Sequence, residues 1–102
     1  MVIEWLKFQV PVEVREKFIQ KDEEIWTQAL AKNPGFLGKE VWLNPNIPDQ
    51  LVLVIHWESR EAWSAVPTKL LEETEQQFIR EMGAVYPIIE AGEYQVRKFT
   101  HS

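Results

Sequence analysis

The stretch LVLVIHWESREAW, residues 51–63, predicts an apolar strand that leads directly into a capped helix. Five consecutive aliphatic residues leave the strand without a polar face, and such a strand has to be covered on both sides. Ser59 is placed to cap the helix that follows, and Glu61 lies in its first turn, where the helix dipole favours a carboxylate. Because 102 residues offer few elements with which to cover both faces, a second subunit is the expected partner.

Length and composition predict one globular domain spanning residues 1–102. The net charge is −5 and no run of Lys or Arg is present, which argues against nucleic acid or an anionic membrane as a partner. The absence of cysteine excludes disulfides and thiolate chemistry. Glu4 and Lys7 interrupt the N-terminus, and no stretch approaches the roughly 18 apolar residues that a bilayer span needs. We therefore expect a cytoplasmic protein without a signal peptide.

Hydrophobic periodicity divides the chain into six elements. The predicted elements are a strand at 2–10, a helix at 12–32, strands at 36–43 and from 51, a helical region broken at Pro67, and a strand at 93–99 before a tail of His101 and Ser102. Asn33-Pro34-Gly35 ends the first helix, and Gly83 ends the second helical region. The order βαββαβ predicts an α+β ferredoxin-like fold, in which a four-stranded antiparallel sheet carries both helices on one face.

The other face of this sheet is expected to be apolar as well. In the first strand, alternation divides the side chains into two sets, which are Val2, Leu6, Phe8 and Val10 on one side and Ile3, Trp5, Lys7 and Gln9 on the other. An exposed apolar patch of about several hundred Å² is more than soluble monomers usually tolerate. We therefore predict a homodimer formed through the sheet face, which makes a dimeric α+β barrel.

Two stretches resemble the antibiotic-biosynthesis monooxygenase-like (ABM-like) group of dimeric α+β barrels, namely NPGFLG at 33–38 and WESREAW at 57–63. Within that group the chain is most similar to a small uncharacterised cyanobacterial family. The resemblance implies a homodimer whose two sheets face each other, with a cavity in each subunit between sheet and helices. Members of the group include cofactor-free monooxygenases that act on polycyclic quinol-type compounds, and haem-degrading enzymes.

The haem-degrading site is not implied for this chain. The haem degraders use an Asn on the first strand and a Trp and a His in the second helical region. Aligned from Trp57, the latter two positions fall on Val66 and Gln76, and the first strand contains no Asn.

His56 is the candidate catalytic residue, because an imidazole at the end of an apolar strand can serve as a base or a hydrogen-bond donor at a pocket. The alternative is a half-buried structural histidine. The candidate substrate-binding residues are aromatic side chains suited to a flat apolar ligand, or else to filling a core or an interface; they are Trp5, Trp57, Trp63, Tyr86 and Tyr94.

No metal site is expected, because the acidic runs at 22–24 and 72–75 look like solvated helix faces whose consecutive side chains point in different directions. Three functions remain open. The first is a cofactor-independent oxygenase, in which His56 deprotonates an electron-rich quinol that then reacts with dioxygen. The second is a non-catalytic dimer that binds an apolar small molecule, for example a tetrapyrrole. The third is a structural barrel whose cavity is filled by its own side chains.

Overall fold

The computed structural model describes residues 1–99 and has the element order βαββαβ. The strands are β1 (Val2–Gln9), β2 (Phe36–Leu43), β3 (Gln50–Trp57) and β4 (Ile88–Gln95). The helices are α1 (Val12–Lys21), α2 (Gln28–Leu30), α3 (Arg60–Ser64) and α4 (Thr68–Met82), and a π-helical segment, Asp22–Thr27, joins α1 to α2. The predicted tail residues His101 and Ser102 lie outside the described residues.

The four strands form one antiparallel sheet in the order β2-β3-β1-β4. The apolar strand β3 therefore lies inside the sheet, paired with β1 on one side and β2 on the other. Its residues Leu51, Leu53, Val54, Ile55 and Trp57 are all buried. This confirms the ferredoxin-like arrangement, and it explains why β3 has no polar face.

The sheet has an inner face towards the helices and an outer face away from them. On the inner face, Leu6 of β1 lies opposite Leu53 of β3, and both contact the helices through a cluster that includes Phe18 and Phe78. Side chains alternate between the faces, so the neighbours of these residues point outwards. The outer face carries Ile3, Trp5, Lys7, Glu40, Trp42, Val52, Val54, His56 and Tyr94. The predicted division of β1 into two sides is confirmed.

The helical elements lie where the sequence predicts them, except that the helix predicted at 12–32 contains the π-helical segment and ends at Leu30. The Ser59 side chain caps α3 by accepting a hydrogen bond from the Ala62 N–H at 3.1 Å. Helix α4 buries Thr74, Phe78 and Met82 and ends at Gly83, whose φ of 78° is left-handed. No helix within residues 1–99 is long and apolar enough to cross a bilayer.

The turn between α2 and β2 depends on Gly35. Its φ is +89°, and a Cβ atom at this position would lie 2.4 Å from the Cβ of Ala62. The Gly35 carbonyl accepts a hydrogen bond from the Glu58 N–H at 2.7 Å. The turn therefore fixes the start of α3 against the beginning of β2.

The boundaries of the last strand differ from the prediction. β4 begins at Ile88 rather than at Glu93 and ends at Gln95, before Phe99. Ile88 pairs with Phe8 directly after Pro87, whose carbonyl accepts a hydrogen bond from the Gln9 N–H at 3.1 Å. The ladder thus begins next to the proline, whereas the sequence interpretation assigned these residues to a loop.

Candidate functional site

A cavity of about 740 Å³ lies between the inner face of the sheet and the helices. Pockets that bind small molecules typically occupy about 300–1,000 Å³, so this cavity has the size of a ligand site. Most of its wall is apolar, and the apolar lining residues include Leu6, Phe8, Phe18, Leu30, Leu53, Ile55, Leu71 and Phe78.

Three tryptophans and a tyrosine line the same cavity, namely Trp26, Trp57, Trp63 and Tyr86. Trp57 is only 1% exposed, and its ring makes an edge-to-face contact with Phe36 at 5.7 Å between centroids. The guanidinium of Arg60 lies 3.9 Å from the ring centroid of Trp63. Flat aromatic walls of this kind suit a flat, apolar ligand.

Glu4 is a carboxyl group within this aromatic cavity. It lies in β1 between Val2 and Leu6, so alternation directs its side chain to the inner face. The indole N–H of Trp57 donates a hydrogen bond to its Oε1 at 3.2 Å. Burial raises the pKa of Glu4, while the Trp57 hydrogen bond and the charges of Lys39 and Arg60 act in the opposite direction. The Glu4 carboxylate is therefore a stronger base than an exposed glutamate.

Asp22 and Lys39 form a buried ion pair at the cavity wall. The Lys39 Nζ lies 2.7 Å from each carboxylate oxygen of Asp22. The Asp22 side chain is 3% exposed and the Lys39 side chain is 4% exposed. Burial raises the pKa of Asp22, and the charge and hydrogen bond of Lys39 oppose that rise. The expectation that the acidic run at 22–24 is solvated is therefore wrong for Asp22, because the π-helical segment begins there and turns its side chain towards β2.

The remaining charged groups of the cavity lie on the second helical region. Glu75 of α4 has a pKa that burial raises and that a hydrogen bond from Trp26 lowers. Arg60 pairs with Glu93 at 3.2 Å and donates to the Ser64 hydroxyl at 2.8 Å. Arg60 is about half exposed, so Lys39 is the deeply buried cation of the site.

The structure places the six predicted site residues in two locations. Trp57, Trp63 and Tyr86 line the cavity. Trp5, His56 and Tyr94 lie instead on the outer face of the sheet, because each alternates with an inward-pointing neighbour.

His56 interacts with its neighbours on that outer face. Its Nε2 lies 2.6 Å from Glu40 Oε1, and its Nδ1 lies 3.2 Å from the sulfur of Met1. The cavity lining does not include His56. Its catalytic role stays a prediction, and the sheet separates it from the cavity.

Sequence reasoning missed the polar groups of the cavity. Glu4 carried a usable signal, since it shares its side of β1 with Val2 and Leu6. Lys39 and Asp22 carried none, because only the folded chain brings β2 against the π-helical segment. Within residues 1–99, no three His, Cys, Asp or Glu side chains are arranged to hold a metal ion.

The chain is thus a ferredoxin-like α+β domain with an aromatic cavity between its sheet and its helices. The model of the antibiotic biosynthesis monooxygenase family matches residues 1–66 of this chain. The chain therefore belongs to the antibiotic biosynthesis monooxygenase family. A comparison with curated proteins gives no match.

Solved structures with the same fold come from several bacteria. A candidate antibiotic biosynthesis monooxygenase from Deinococcus radiodurans is 15% identical with a TM-score of 0.69, covering 100% of this chain and 98% of that one. A variant of SnoaB, a cofactor-independent oxygenase from Streptomyces nogalater, is 16% identical with a TM-score of 0.69, covering 96% and 94%. A third structure, a candidate antibiotic biosynthesis monooxygenase from Chloroflexus aurantiacus, is 21% identical with a TM-score of 0.65. The match covers 99% of this chain and 96% of that one. At these identities the likeness establishes the fold.

Proposed function

We propose that the protein is a cofactor-independent monooxygenase that oxidises a flat, apolar aromatic compound of the quinol or anthrone type. The observation that carries this proposal is the partly buried carboxyl of Glu4, which lines an aromatic cavity of ligand size and whose pKa is raised there. Family membership supports it, as does the likeness to an oxygenase that works without a cofactor. In this proposal Glu4, rather than His56, is the base of the reaction.

The reaction needs only the substrate, dioxygen and a base. Glu4 takes a proton from the methylene carbon of an anthrone, which leaves a resonance-stabilised carbanion. The carbanion gives one electron to dioxygen, and the resulting radical and superoxide combine into a carbon-bound peroxide. Glu4 returns its proton to the terminal peroxide oxygen. Loss of the second C–H proton with cleavage of the O–O bond then yields the ketone and one water, so both oxygen atoms are accounted for.

The aromatic walls would hold the substrate and exclude water. Trp26, Trp57 and Trp63 present flat surfaces from the π-helical segment, β3 and α3. A low-dielectric environment keeps Glu4 basic and favours a delocalised carbanion over localised charge.

Oxygen uptake tests this function. The purified protein is mixed with a panel of anthrones and quinols in an oxygen electrode, and the ketone or quinone product is quantified. We expect one oxygen consumed per product with the wild type, and a rate lower by about 10²–10⁴-fold with Glu4→Gln, the range of general-base contributions. Glu75→Gln removes a second cavity carboxyl and should retain most of the rate. A flat trace for the wild type across the panel rejects the function, and a loss only in Glu75→Gln reassigns the base.

The second candidate is a non-catalytic carrier of an apolar metabolite, favoured by the three tryptophans that line the cavity. Its signature is quenching of tryptophan fluorescence by a ligand without oxygen uptake. A haem-type tetrapyrrole fits less well, since no His or Cys among residues 1–99 lines the cavity to bind its iron. A purely structural barrel is not favoured either, because the side chains of the described residues leave this cavity open.

The outer face is the proposed contact between two copies of the chain. Trp42 is 49% exposed and Tyr94 is 57% exposed on this face, on the two edge strands β2 and β4. Aromatic side chains of this kind are typical of interface cores. Light scattering should therefore give twice the chain mass of 12.1 kDa. The cytoplasmic location and the link to a small cyanobacterial family stay predictions.

A further inference from the structure

Lys39 has a hydrogen-bonding capacity that the fold does not use. An ammonium carries three N–H donors. Within residues 1–99, the only side chain bonded to Lys39 Nζ is the Asp22 carboxylate, at 2.7 Å from each oxygen. The Lys39 side chain is 4% exposed and lines the cavity. Its ammonium can therefore donate to a further acceptor that enters the cavity.

Lys39 and Glu4 act on the same part of the cavity. Both line it, and Glu4 of β1 and Lys39 of β2 both lie opposite Ile55 of β3 on the inner face of the sheet. A ligand that places an acidic C–H at Glu4 can therefore place an oxygen near Lys39. When an anthrone loses its methylene proton, the charge moves across the ring system to the oxygen on the opposite side.

We propose that Lys39, oriented by Asp22, forms an oxyanion subsite that binds the enolate or phenolate oxygen of the ligand. This deepens the proposed function and rests on it, because it names the substrate class as aromatic compounds with an ionisable oxygen across the ring from the acidic carbon. A positioned cation stabilises charge that develops during the reaction and costs no reorganisation at that moment. Asp22 fixes the place of the ammonium through its two short contacts.

The other charged groups around the cavity do not replace this cation. Glu4 and Glu75 are acidic, and Tyr86 carries a phenol. Arg60 is the second cation, but it is half exposed and paired with Glu93. An oxyanion deep in the cavity would therefore depend on Lys39.

The test uses 1,8-dihydroxyanthraquinone as a probe, because it carries the ring oxygens but has no methylene to oxidise. Its phenol-to-phenolate transition is followed by visible absorbance while it is bound to the protein. We compare the wild type with the double variant Asp22→Asn/Lys39→Met, which removes both charges and leaves no unpaired ion. In the proposed geometry the Lys39 cation lies nearer to the probe oxygen than the Asp22 anion behind it, so the pair as a whole lowers the pKa of the bound phenol. The bound probe should therefore titrate at a higher pH in the double variant. Lys69→Met, on the exposed side of α4, serves as a control that leaves the probe unchanged.

A purely structural ion pair predicts a different result. The double variant would then change the melting temperature without moving the titration of the bound probe, and the proposal would be overturned. Absence of probe binding to the wild type, measured by tryptophan fluorescence, would also overturn it. The variant's near-UV circular dichroism verifies that it is folded. If the titration moves as expected but no substrate consumes oxygen, the oxyanion subsite stands and the oxygenase function fails.

Discussion

Trp57 donates its indole N–H to the Glu4 carboxylate at 3.2 Å, although Trp57 lies in β3 and Glu4 in β1. The two strands are direct neighbours, with Val2 opposite Trp57 and Glu4 opposite Ile55, so the contact runs diagonally across the pair. Burial raises the pKa of Glu4 and this hydrogen bond lowers it. The hydrogen bond therefore offsets part of the rise that burial causes in the pKa of Glu4.

Removing the indole donor should make Glu4 more basic. In Trp57→Phe the carboxylate loses the hydrogen bond that stabilises its charged form, so we expect its pKa to rise further. Carbon NMR of the glutamate side chains, titrated over pH, measures this directly. Trp63→Phe is the matched control, because Trp63 lines the cavity without a hydrogen bond to Glu4. An unchanged or lower pKa of Glu4 in Trp57→Phe contradicts the assignment.

Glu4 also links stability to pH. Its pKa is raised in the folded state, so the folded protein binds the proton more tightly than the unfolded chain does. The free energy of unfolding should therefore fall as pH rises from about 4.3, the pKa of an ordinary glutamate, through the higher pKa that Glu4 has in the folded protein. Glu4→Gln removes the ionisable group, so the free energy of unfolding should change less with pH over this range. Urea unfolding over this pH range measures it, and a curve as steep as that of the wild type would argue against the burial of an ionisable Glu4.

Gly35 should not tolerate a side chain. Gly35→Ala combines a left-handed backbone with a Cβ placed 2.4 Å from that of Ala62. Left-handed geometry and overpacking each cost about 1 kcal/mol or more, so we expect a loss of at least about 2 kcal/mol in unfolding free energy. Gly83→Ala is the comparison, since it has a similar φ of +78° but open space around its Cβ. Equal losses of unfolding free energy in Gly35→Ala and Gly83→Ala would show that the close approach of position 35 to Ala62 of α3 does not contribute.

Trp42 tests the proposed dimer. Trp42→Glu places a charge on the outer face and should weaken dimerisation by about thirtyfold or more, since a tryptophan hot spot contributes about 2 kcal/mol or more. Val12→Glu is the control, because Val12 is similarly exposed but lies at the start of α1, on the helical side of the sheet. Sedimentation equilibrium distinguishes the species. A dimer that tolerates Trp42→Glu as well as Val12→Glu is not formed through this face.

The elements that sequence alone located are those with local signals. The aliphatic run of β3 marks an interior strand, the Ser59 hydroxyl marks the start of α3, and Gly83 marks the end of α4. The sequence does not indicate the start of β4, because Pro87 is typical of a loop. Only the pairing with β1 shows that Ile88 belongs to the strand.

Of the residues that line the cavity, the sequence predicted only aromatic ones. Trp57 and Trp63 have a sequence signal, since large aromatic residues near the end of an apolar strand suit a cavity. The polar part depends on tertiary contacts. Asp22 belongs to an acidic run that looks solvated, and its burial becomes favourable only because Lys39 reaches it from β2. The imidazole of His56 is suited to act as a base, but the alternation of β3 directs the His56 side chain away from the cavity.

The pH dependence of kcat/KM for oxygen uptake, compared between the wild type and Glu4→Gln, tests the central claim most directly. A base is active when deprotonated, so the wild-type rate should fall as pH decreases through one group with a pKa above that of an ordinary glutamate. Glu4→Gln should lose that step together with most of the rate. If Glu4→Gln keeps both the rate and the same pH profile, Glu4 is not the base and the account of the cavity is wrong.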